Sequence, residues 1–326
     1  MKKALITGVA GQDGSYLAEL LLSKKYEVHG IAKREKEGGD ANLWRINGIK
    51  EKITIHFTNI DEYESIRQLV AQIQPDEIYH LACLHEVENT LENYESIVQT
   101  NLNSTYYFLS VIKSEAPKSR FFFASSSRVF AGGSDIPQSE KTPFHPTSLY
   151  GITKVAGTEL VRMFREQERV FACTGILFNH ESPRRDLVFL TRKISKAVTE
   201  IKNGMIKELK LGNLDAVRDW GFAGDYVEAM WLMLQQNVPE DFVIGTGETH
   251  SVREFLDIAF GIVDLDWKKY VVVDKELFRP HEMELRANIH KARTKLRWAP
   301  RIDFTELIYM MVTNDFQNNQ KIKIFT

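Results

Sequence analysis

Hydrophobic and polar positions alternate in the first half of the chain between short apolar runs and longer amphipathic segments. The apolar runs predict strands at residues 3–8, 26–33, 52–57, 77–82, 120–125 and 171–177. The amphipathic segments between them predict helices at 14–25, 61–73, 93–115 and 149–168. This alternation predicts an α/β Rossmann fold, in which helices cover both faces of a doubly wound parallel sheet.

After about residue 178 the pattern changes to shorter segments, with helices predicted near 187–203, 225–237, 251–260 and 303–315. We expect this part to form a smaller, mixed α/β C-terminal substrate lobe that closes over the sheet. Residues 1–178, with a returning segment at 214–246, are assigned to the dinucleotide-binding domain. Residues 179–213 and 247–326 are assigned to the substrate lobe.

Composition narrows the functional class. The 326 residues are 43% hydrophobic, which is enough for one large α/β unit or two packed lobes. A formal charge of −2 with scattered basic residues favours neither nucleic acid nor a membrane surface as a partner. The sequence has no apolar run of transmembrane length, no signal-peptide core and only two cysteines, so we expect a cytoplasmic protein without disulfides.

Three glycines follow the first predicted strand in the stretch "TGVAGQDG". Glycines at this spacing let the backbone approach a pyrophosphate at the N-terminus of the next helix. The predicted cofactor contacts are Gly8, Gly11, Gln12, Asp13 and Gly14. A turn that serves packing alone has the same spacing, so the interpretation depends on the strand before the motif and the helix after it.

Two cations end the second predicted strand. Lys33 and Arg34 stand where a site for NAD usually has an acidic residue on the ribose hydroxyls. Cations at this position favour a 2′-phosphate, so NADP is the predicted cofactor. The following Glu35 keeps NAD open as the alternative, and a solvated loop is a further interpretation.

The stretch "YGITK" places Tyr150 and Lys154 four residues apart near the start of a predicted helix, on the same face. A nearby ammonium stabilises a phenolate, so we expect a lowered pKa that makes Tyr150 an acid or base near neutrality. The same spacing occurs on ordinary surface helices. Here it follows a dinucleotide-binding pattern and a serine cluster at 125–127, and the combination predicts proton and hydride transfer.

The chain resembles the GDP-mannose 4,6-dehydratase family of extended short-chain dehydrogenases/reductases over nearly its whole length. The stretches that carry the resemblance include "ALITGVAGQDGSYLAELLL", "PDEIYHLA", "GILFNHESPRR", "GNLDAVRDWGFAGDYVEAMWLMLQQ" and "GTGETHSVREF". The resemblance implies an NADP-dependent enzyme that removes a hydride from C4 of a GDP-hexose, eliminates water across C5 and C6, and returns the hydride to C6. It also implies a role in the synthesis of cell-surface glycan precursors.

The resemblance further implies roles for individual residues. Ser126 would hydrogen-bond the sugar O4, Tyr150 would deprotonate it, and Lys154 would hold the nicotinamide ribose. Asn59 stands where the family has an aspartate that contacts adenine, and its carbonyl can accept the same hydrogen bond. The positions that match the substrate-binding motifs are Asn179, Arg192, Lys193, Arg218, Arg279 and Glu282.

One departure from the family lies two residues after the catalytic hydroxyl. The dehydratases have a glutamate there, which removes the C5 proton, and this chain has Arg128. An arginine stays protonated in a protein and cannot act as a general base. Removal of the C4 hydride does not need this residue, whereas elimination of water would need a base at another position.

A second departure lies in the loop after the fourth predicted strand, which reads "ACLHEVENT". In one hypothesis Glu86 pairs with Arg128, and in another His85 or Glu86 takes over the C5 proton. His80 and Cys83 together with His85 and Glu86 offer the side-chain types of a metal site. Alternation along the strand end directs these side chains apart, so we predict no metal.

Three functional interpretations stay open. In the first, a GDP-sugar enzyme oxidises C4 and then either eliminates water through a relocated base or acts as a dehydrogenase, ketoreductase or epimerase. In the second, the substrate is a GDP-sugar other than mannose, such as a heptose or an amino sugar. In the third, the protein only binds or senses nucleotides, which the presence of Ser126, Tyr150 and Lys154 argues against.

The resemblance also implies a homodimer that associates through the helices around Tyr150. The segment "REKEGGDANLWR" does not match the loop that family tetramers use. A tetramer is therefore the alternative assembly.

Overall fold

The structure, a computed structural model, describes residues 1–33, 43–84, 91–278 and 283–324, with the side chains of 91–92 and 318–324 left out. The strands in this part of the chain are β1 (Lys3–Thr7), β2 (Glu27–Ile31), β3 (Thr54–His56), β4 (Glu77–His80), β5 (Arg120–Ser126), β6 (Phe171–Leu177), β7 (Asn179–Glu181), β8 (Leu209–Leu211), β9 (Val217–Arg218), β10 (Trp220–Phe222), β11 (Phe242–Ile244), β12 (His250–Ser251) and β13 (Val271–Val273). The α-helices are α1 (Gln12–Ser23), α2 (Tyr63–Ile73), α3 (Leu91–Val98), α4 (Ser104–Glu115), α5 (Leu149–Gln167), α6 (Leu190–Lys202), α7 (Ala223–Leu234), α8 (Val252–Gly261) and α9 (Phe304–Ile324).

Seven of these strands form one parallel sheet in the order β11-β6-β5-β4-β1-β2-β3. The chain starts at β1 inside the sheet, builds outward through β2 and β3, and then returns to β4 on the other side of β1. This reversal opens a crevice at the carboxyl ends of β1 and β4, where doubly wound sheets bind their ligands. The predicted Rossmann fold is confirmed.

Successive strand residues pack on opposite faces of the sheet, as the pleat requires. Ile6 and Phe122 lie in the core under α1 and α7, whereas Leu5 and Phe121 lie in the core under α2, α4 and α5. All four side chains are fully buried. Both faces of the sheet are therefore covered, which explains the nearly continuous apolar runs of its strands.

A separate hydrophobic core lies between α6, α8 and α9. Trp220 and Phe304 stack there with ring centroids 5.9 Å apart and an interplanar angle of 6°. Together with the small β8–β13 ladder, these helices form the smaller mixed C-terminal lobe. The boundaries between the two domains stay a prediction.

α7 and β11 follow the first part of this lobe in the sequence but belong to the central sheet layer. β11 pairs with β6 along residues 242–244, and α7 packs beside α1. Among the described helices, none is long and apolar enough to cross a membrane.

Candidate active site

The glycine turn after β1 has the conformation that its sequence predicts. Gly8 has a φ of +71°, and the amides of Gly8 and Val9 donate to the carbonyl of Ile31 at 3.0 and 3.2 Å. A Cβ at Gly14 would collide with the Gly8 carbonyl oxygen. Helix α1 begins after Gly11 without a side-chain cap. The free amides of its first turn and the close backbone approach fit the pyrophosphate of a dinucleotide.

The predicted contacts of the adenosine end lie at the carboxyl side of β2 and β3. Lys33 is exposed just beyond β2, and Arg34 lies outside the described residues. Asn59 is exposed, its Oδ1 accepts from the Asp61 amide at 3.1 Å, and its Nδ2 donates to Glu62 at 2.9 Å. Asn59 thus shapes the turn before α2, and its role toward adenine stays a prediction.

Ser126, Tyr150 and Lys154 come together because β5 ends where α5 begins. Ser148 caps α5 by accepting from the Gly151 amide at 3.1 Å, which places Tyr150 in the first turn. A hydrogen bond links the Tyr150 and Ser126 side chains. Lys154 lies one turn later, is buried, and donates to the Ala124 carbonyl at 2.8 Å. The three side chains can hold and deprotonate one hydroxyl group.

The electrostatics of this group differ from the expectation. Burial raises the pKa of Tyr150, and Cys83 raises it further, while the hydrogen bond from Ser126 and the charge of Arg185 lower it. Burial likewise lowers the pKa of Lys154. The prediction that the pKa of Tyr150 is lowered toward neutrality is therefore wrong, because burial raises this pKa by more than Ser126 and Arg185 lower it.

Arg128 lies beside Ser126 and Gly151. It belongs to a 3₁₀ turn, Ser127–Phe130, and its amide donates to the Ser126 hydroxyl at 3.3 Å. Its carbonyl oxygen lies 3.0 Å from the position that a Cβ at Gly151 would take, next to Tyr150. The residues suggested to compensate for it, His85 and Glu86, lie outside the described residues.

His80 is part of a buried hydrogen-bond chain at the end of β4. Its Nδ1 lies 3.0 Å from the Thr7 hydroxyl and its Nε2 lies 3.0 Å from the Ser104 hydroxyl, which itself donates to the Thr100 carbonyl. Burial, with the charge of Lys154, lowers the pKa of His80 to about 3, so the ring is neutral. No cluster of three or more His, Cys, Asp or Glu side chains suited to a metal occurs within the described ranges.

Asn101 is a structural residue of the site that the sequence analysis missed. The predicted helix 93–115 is interrupted by a π-helical turn, Gln99–Asn103, between α3 and α4. From this turn Asn101 accepts from the Leu84 amide at 2.7 Å and donates to the Leu84 carbonyl at 2.9 Å. It thereby anchors the loop that leads toward His85. A continuous apolar periodicity carries no signal for such a turn.

Three of the predicted substrate residues lie on described elements that follow β6 in the sequence. Asn179 opens β7, Lys193 is exposed on α6 with its Nζ donating to the Lys210 carbonyl at 2.8 Å, and Arg218 lies on β9. Arg279 and Glu282 lie outside the described residues. The contacts of all five with a substrate stay predictions.

Arg192 is held inside the lobe. It forms an ion pair with Asp315 and donates to the Pro183 carbonyl at 3.2 Å and to the Ser195 hydroxyl at 3.2 Å. Only 12% of the Arg192 side chain and 6% of the Asp315 side chain are exposed. These bonds involve the Nε and one terminal nitrogen of the guanidinium, and a contact between Arg192 and a substrate stays a prediction.

The side chains of Gln12 and Asp13 are directed toward β7. Asp13 Oδ2 lies 2.9 Å from His180 Nε2. Gln12 donates to the His180 carbonyl at 3.0 Å and accepts from the Ser182 hydroxyl at 2.8 Å. Residues 180–182 thus hold both side chains, and a cofactor contact by Gln12 or Asp13 stays a prediction. His180, which binds them, was not predicted as a site residue.

Several solved structures have the same fold. The dTDP-glucose 4,6-dehydratase of Bacillus anthracis in complex with NAD matches with a TM-score of 0.84 and 20% identity, and 98% of each chain is covered. The UDP-glucose 4-epimerase of Thermotoga maritima matches with a TM-score of 0.83 and 21% identity over 98% of this chain and 99% of the other. RMD from Pseudomonas aeruginosa, complexed with NADPH, matches with a TM-score of 0.82 and 19% identity over 98% and 100%. At these identities the likeness shows the fold alone, that of a parallel Rossmann-like sheet with a smaller lobe.

Sequence comparison defines the family within this fold. The family model described as GDP-mannose 4,6 dehydratase matches residues 5–311. The chain is 44% identical to GDP-mannose 4,6 dehydratase 2 of Arabidopsis thaliana, with 99% of this chain and 89% of the relative covered. It is 41% identical to GDP-mannose 4,6 dehydratase of Homo sapiens, with 96% and 91% covered. The chain belongs to the GDP-mannose 4,6-dehydratase family. The predicted resemblance and the prediction of an NAD(P)-dependent nucleotide-sugar enzyme are confirmed.

Proposed function

We propose that the protein oxidises C4 of a GDP-linked sugar. The observation that supports this most directly is the hydrogen-bonded pair Ser126–Tyr150 at the carboxyl end of β5, with Lys154 one turn away. The pair lies at the carboxyl end of a parallel sheet, which is the edge where doubly wound folds bind their ligands. It supplies the proton acceptor that oxidation of a secondary alcohol requires.

In the proposed reaction Ser126 orients the C4 hydroxyl by a hydrogen bond to O4. Tyr150 takes the O4 proton while the C4–H bond breaks, and the carbinol becomes a ketone. A bound oxidised nicotinamide dinucleotide supplies the chemistry of accepting the hydride. Ser126 and Arg185 both favour the ionised form of Tyr150, and these effects oppose the burial that raises its pKa.

Elimination of water is the part of the family reaction that this site does not support at position 128. A guanidinium cannot remove the C5 proton. We therefore propose that the protein oxidises C4 and that Arg128 does not catalyse the loss of water. A base elsewhere in the loop after β4 is the alternative, and mass measurement of the product distinguishes the two.

The test is the mass of GDP-mannose after incubation with stoichiometric protein and NADP or NAD. We expect loss of two hydrogens together with reduced cofactor. Loss of one water would show that dehydration occurs in spite of Arg128. An unchanged mass without reduced cofactor would contradict net oxidation of this sugar. It would leave epimerisation of GDP-mannose, or a reaction with another GDP-sugar, as the next measurement.

We also propose NADP as the physiological cofactor, because Lys33 is exposed immediately beyond β2. Replacing Lys33 by glutamate is expected to weaken NADPH binding about 10-fold and to change NADH binding less than about 3-fold, since only NADPH carries the 2′-phosphate. Fluorescence titration of both cofactors measures the two affinities. Lys52→Glu makes the same charge change at the amino side of the neighbouring strand β3 and serves as the control. Equal losses for both cofactors would contradict the proposal.

For the assembly, we propose a homodimer through α4 and α5. These helices carry exposed apolar side chains, among them Tyr106 and Ile152, which are 47% and 52% exposed. Such side chains are typical of a surface that another subunit covers. Sedimentation of the purified protein distinguishes this dimer from a tetramer. The cytoplasm stays the proposed location.

A further inference from the structure

Two side-chain bridges connect the glycine turn to β7. The first is the ion pair of Asp13 and His180, with Oδ2 and Nε2 2.9 Å apart and 20% and 11% of the side chains exposed. The second runs through Gln12 to the His180 carbonyl and the Ser182 hydroxyl. The bridges therefore join the segment proposed to bind the dinucleotide to the strand that opens with Asn179, proposed to bind the GDP-sugar.

The hydrogen bonds of His180 define its charge. Its Nδ1 lies 2.7 Å from the Phe178 carbonyl oxygen, and its Nε2 faces the Asp13 carboxylate. A neutral imidazole has one N–H and can donate to only one of these acceptors, so both bonds require the imidazolium. Burial lowers the pKa of His180, but Asp13 and the Phe178 carbonyl together raise it, and the pKa lies above its ordinary value of 6.5. Burial raises the pKa of Asp13, yet His180 brings it below 3.8.

Neighbouring elements hold this pair in place. The ring of Tyr226 on α7 packs on His180 with centroids 4.6 Å apart, and its hydroxyl donates to the Asn179 carbonyl at 3.4 Å. Burial raises the pKa of Tyr226, which keeps it neutral. Arg185, on the loop after β7, is the other charge that acts on both partners, and it favours ionised Asp13 while disfavouring the imidazolium. The ion pair is thus a charged contact that joins the two segments.

We propose that the Asp13–His180 pair is a latch that couples the cofactor site to the GDP-sugar site. With the latch closed, the glycine turn and the start of β7 are held together in one arrangement, so a ligand on one side favours binding on the other. Asp13 and His180 act as positioning residues through Gly14 and Asn179, their neighbours in the sequence. The inference rests on the proposed function, because it assumes both ligands. Such coupling is reciprocal between the two ligands.

The test measures the affinity for GDP by calorimetry in the presence and absence of saturating NADPH, with the full-length protein. We expect NADPH to strengthen GDP binding about 10-fold in the unmodified protein, within the usual range of coupling between sites. In Asp13→Asn and His180→Gln we expect each ligand still to bind, with the coupling factor reduced to about 1, because the bridge has lost its charge.

The control separates coupling from stability. Asp241→Asn breaks another partly buried ion pair, in which Asp241 binds Arg165 at 2.7 and 2.8 Å beside the sheet edge. We expect this variant to lose thermal stability and to keep the coupling factor. If Asp241→Asn also reduced the coupling factor to about 1, general destabilisation would explain the loss of coupling in all three variants. The proposal of a latch would then be wrong.

The pH dependence of the coupling factor in the unmodified protein provides a second measurement. This measurement does not depend on the folding of any variant. Since the pKa of His180 is raised, the contribution of its charge to the ion pair is complete below pH 6.5. This contribution is lost as the pH rises through the raised pKa. Since the pKa of Asp13 is lowered, the contribution of its charge to the ion pair is complete above pH 3.8. This contribution is lost as the pH falls through the lowered pKa. The coupling factor should therefore decline as the pH rises above 6.5.

Two outcomes would overturn the latch while leaving the proposed function in place. One is independent binding of GDP and NADPH to the unmodified protein, and the other is a coupling factor that the two variants or the pH leave unchanged. Failure of the unmodified protein to bind either ligand would instead refute the proposed function, and the latch with it.

Discussion

Replacing Tyr150 by phenylalanine should lower the rate of C4 oxidation by about 10²–10⁴-fold, the usual contribution of a positioned acid or base. Phenylalanine keeps the ring and its packing and removes the hydroxyl that Ser126 hydrogen-bonds. We expect the affinities for GDP and NADP to change little. Single-turnover absorbance of the reduced cofactor measures the rate, and calorimetry measures the affinities.

The pH dependence of the same reaction provides a second readout. Because the pKa of Tyr150 lies above its ordinary value, the ionised fraction and the oxidation rate should both increase with rising pH. Tyr150→Phe should lose this dependence along with most of the rate. Tyr309→Phe makes the same change at an exposed position on α9 and should leave both unchanged. A Tyr150→Phe protein with full activity would place the proton acceptor elsewhere.

Replacing Arg128 by glutamate is expected to introduce loss of water from the oxidised sugar. The 3₁₀ turn holds the backbone of this residue against Ser126 and Gly151, so a glutamate there starts beside the reaction centre. A positioned general base contributes about 10²–10⁴-fold, and we expect the dehydrated fraction of product to increase by at least about 10²-fold. Mass spectrometry of the GDP-sugar separates the dehydrated product from the simple ketone.

The matched control for this change is Arg128→Gln, which removes the positive charge without adding a base. We expect this variant to form no more dehydrated product than the unmodified protein. If Arg128→Gln gained as much as Arg128→Glu, loss of the cation rather than gain of a base would be responsible. If the unmodified protein already eliminated water and Arg128→Glu did not increase it, the base would lie in the loop that contains His85 and Glu86.

The central sheet was predictable where its strands are long and buried on both faces. β5 and β6 fall within one residue of the predicted spans, because an apolar run between polar turns is a local signal. β11 was not predicted as a strand. It has only three residues, Phe242–Ile244, and becomes a strand by pairing with β6, which lies far back in the sequence. Such pairing leaves no local pattern.

The site shows the same contrast. Ser126 and Tyr150 could be placed together because one ends a predicted strand and the other begins a predicted helix. The contact between Asp13 and His180 spans 167 residues of sequence, and the Arg192–Asp315 pair spans 123. Nothing in the sequence around Asp13 or Arg192 indicates its distant partner. The sequence analysis therefore predicted ligand contacts for these two residues and did not predict their ion pairs.

The late position of α7 and β11 in the sequence has a consequence for synthesis. In a nascent chain that has emerged only to the end of β6, the edge of β6 is not yet paired with β11. The apolar side of the sheet that α1 covers also still lacks α7, which packs beside α1 in the folded protein. These surfaces are covered only after residue 244 has left the ribosome, when much of the lobe is also available. We therefore expect the nucleotide-binding half to depend on protection from aggregation during translation, in contrast to proteins whose Rossmann half is continuous and folds first.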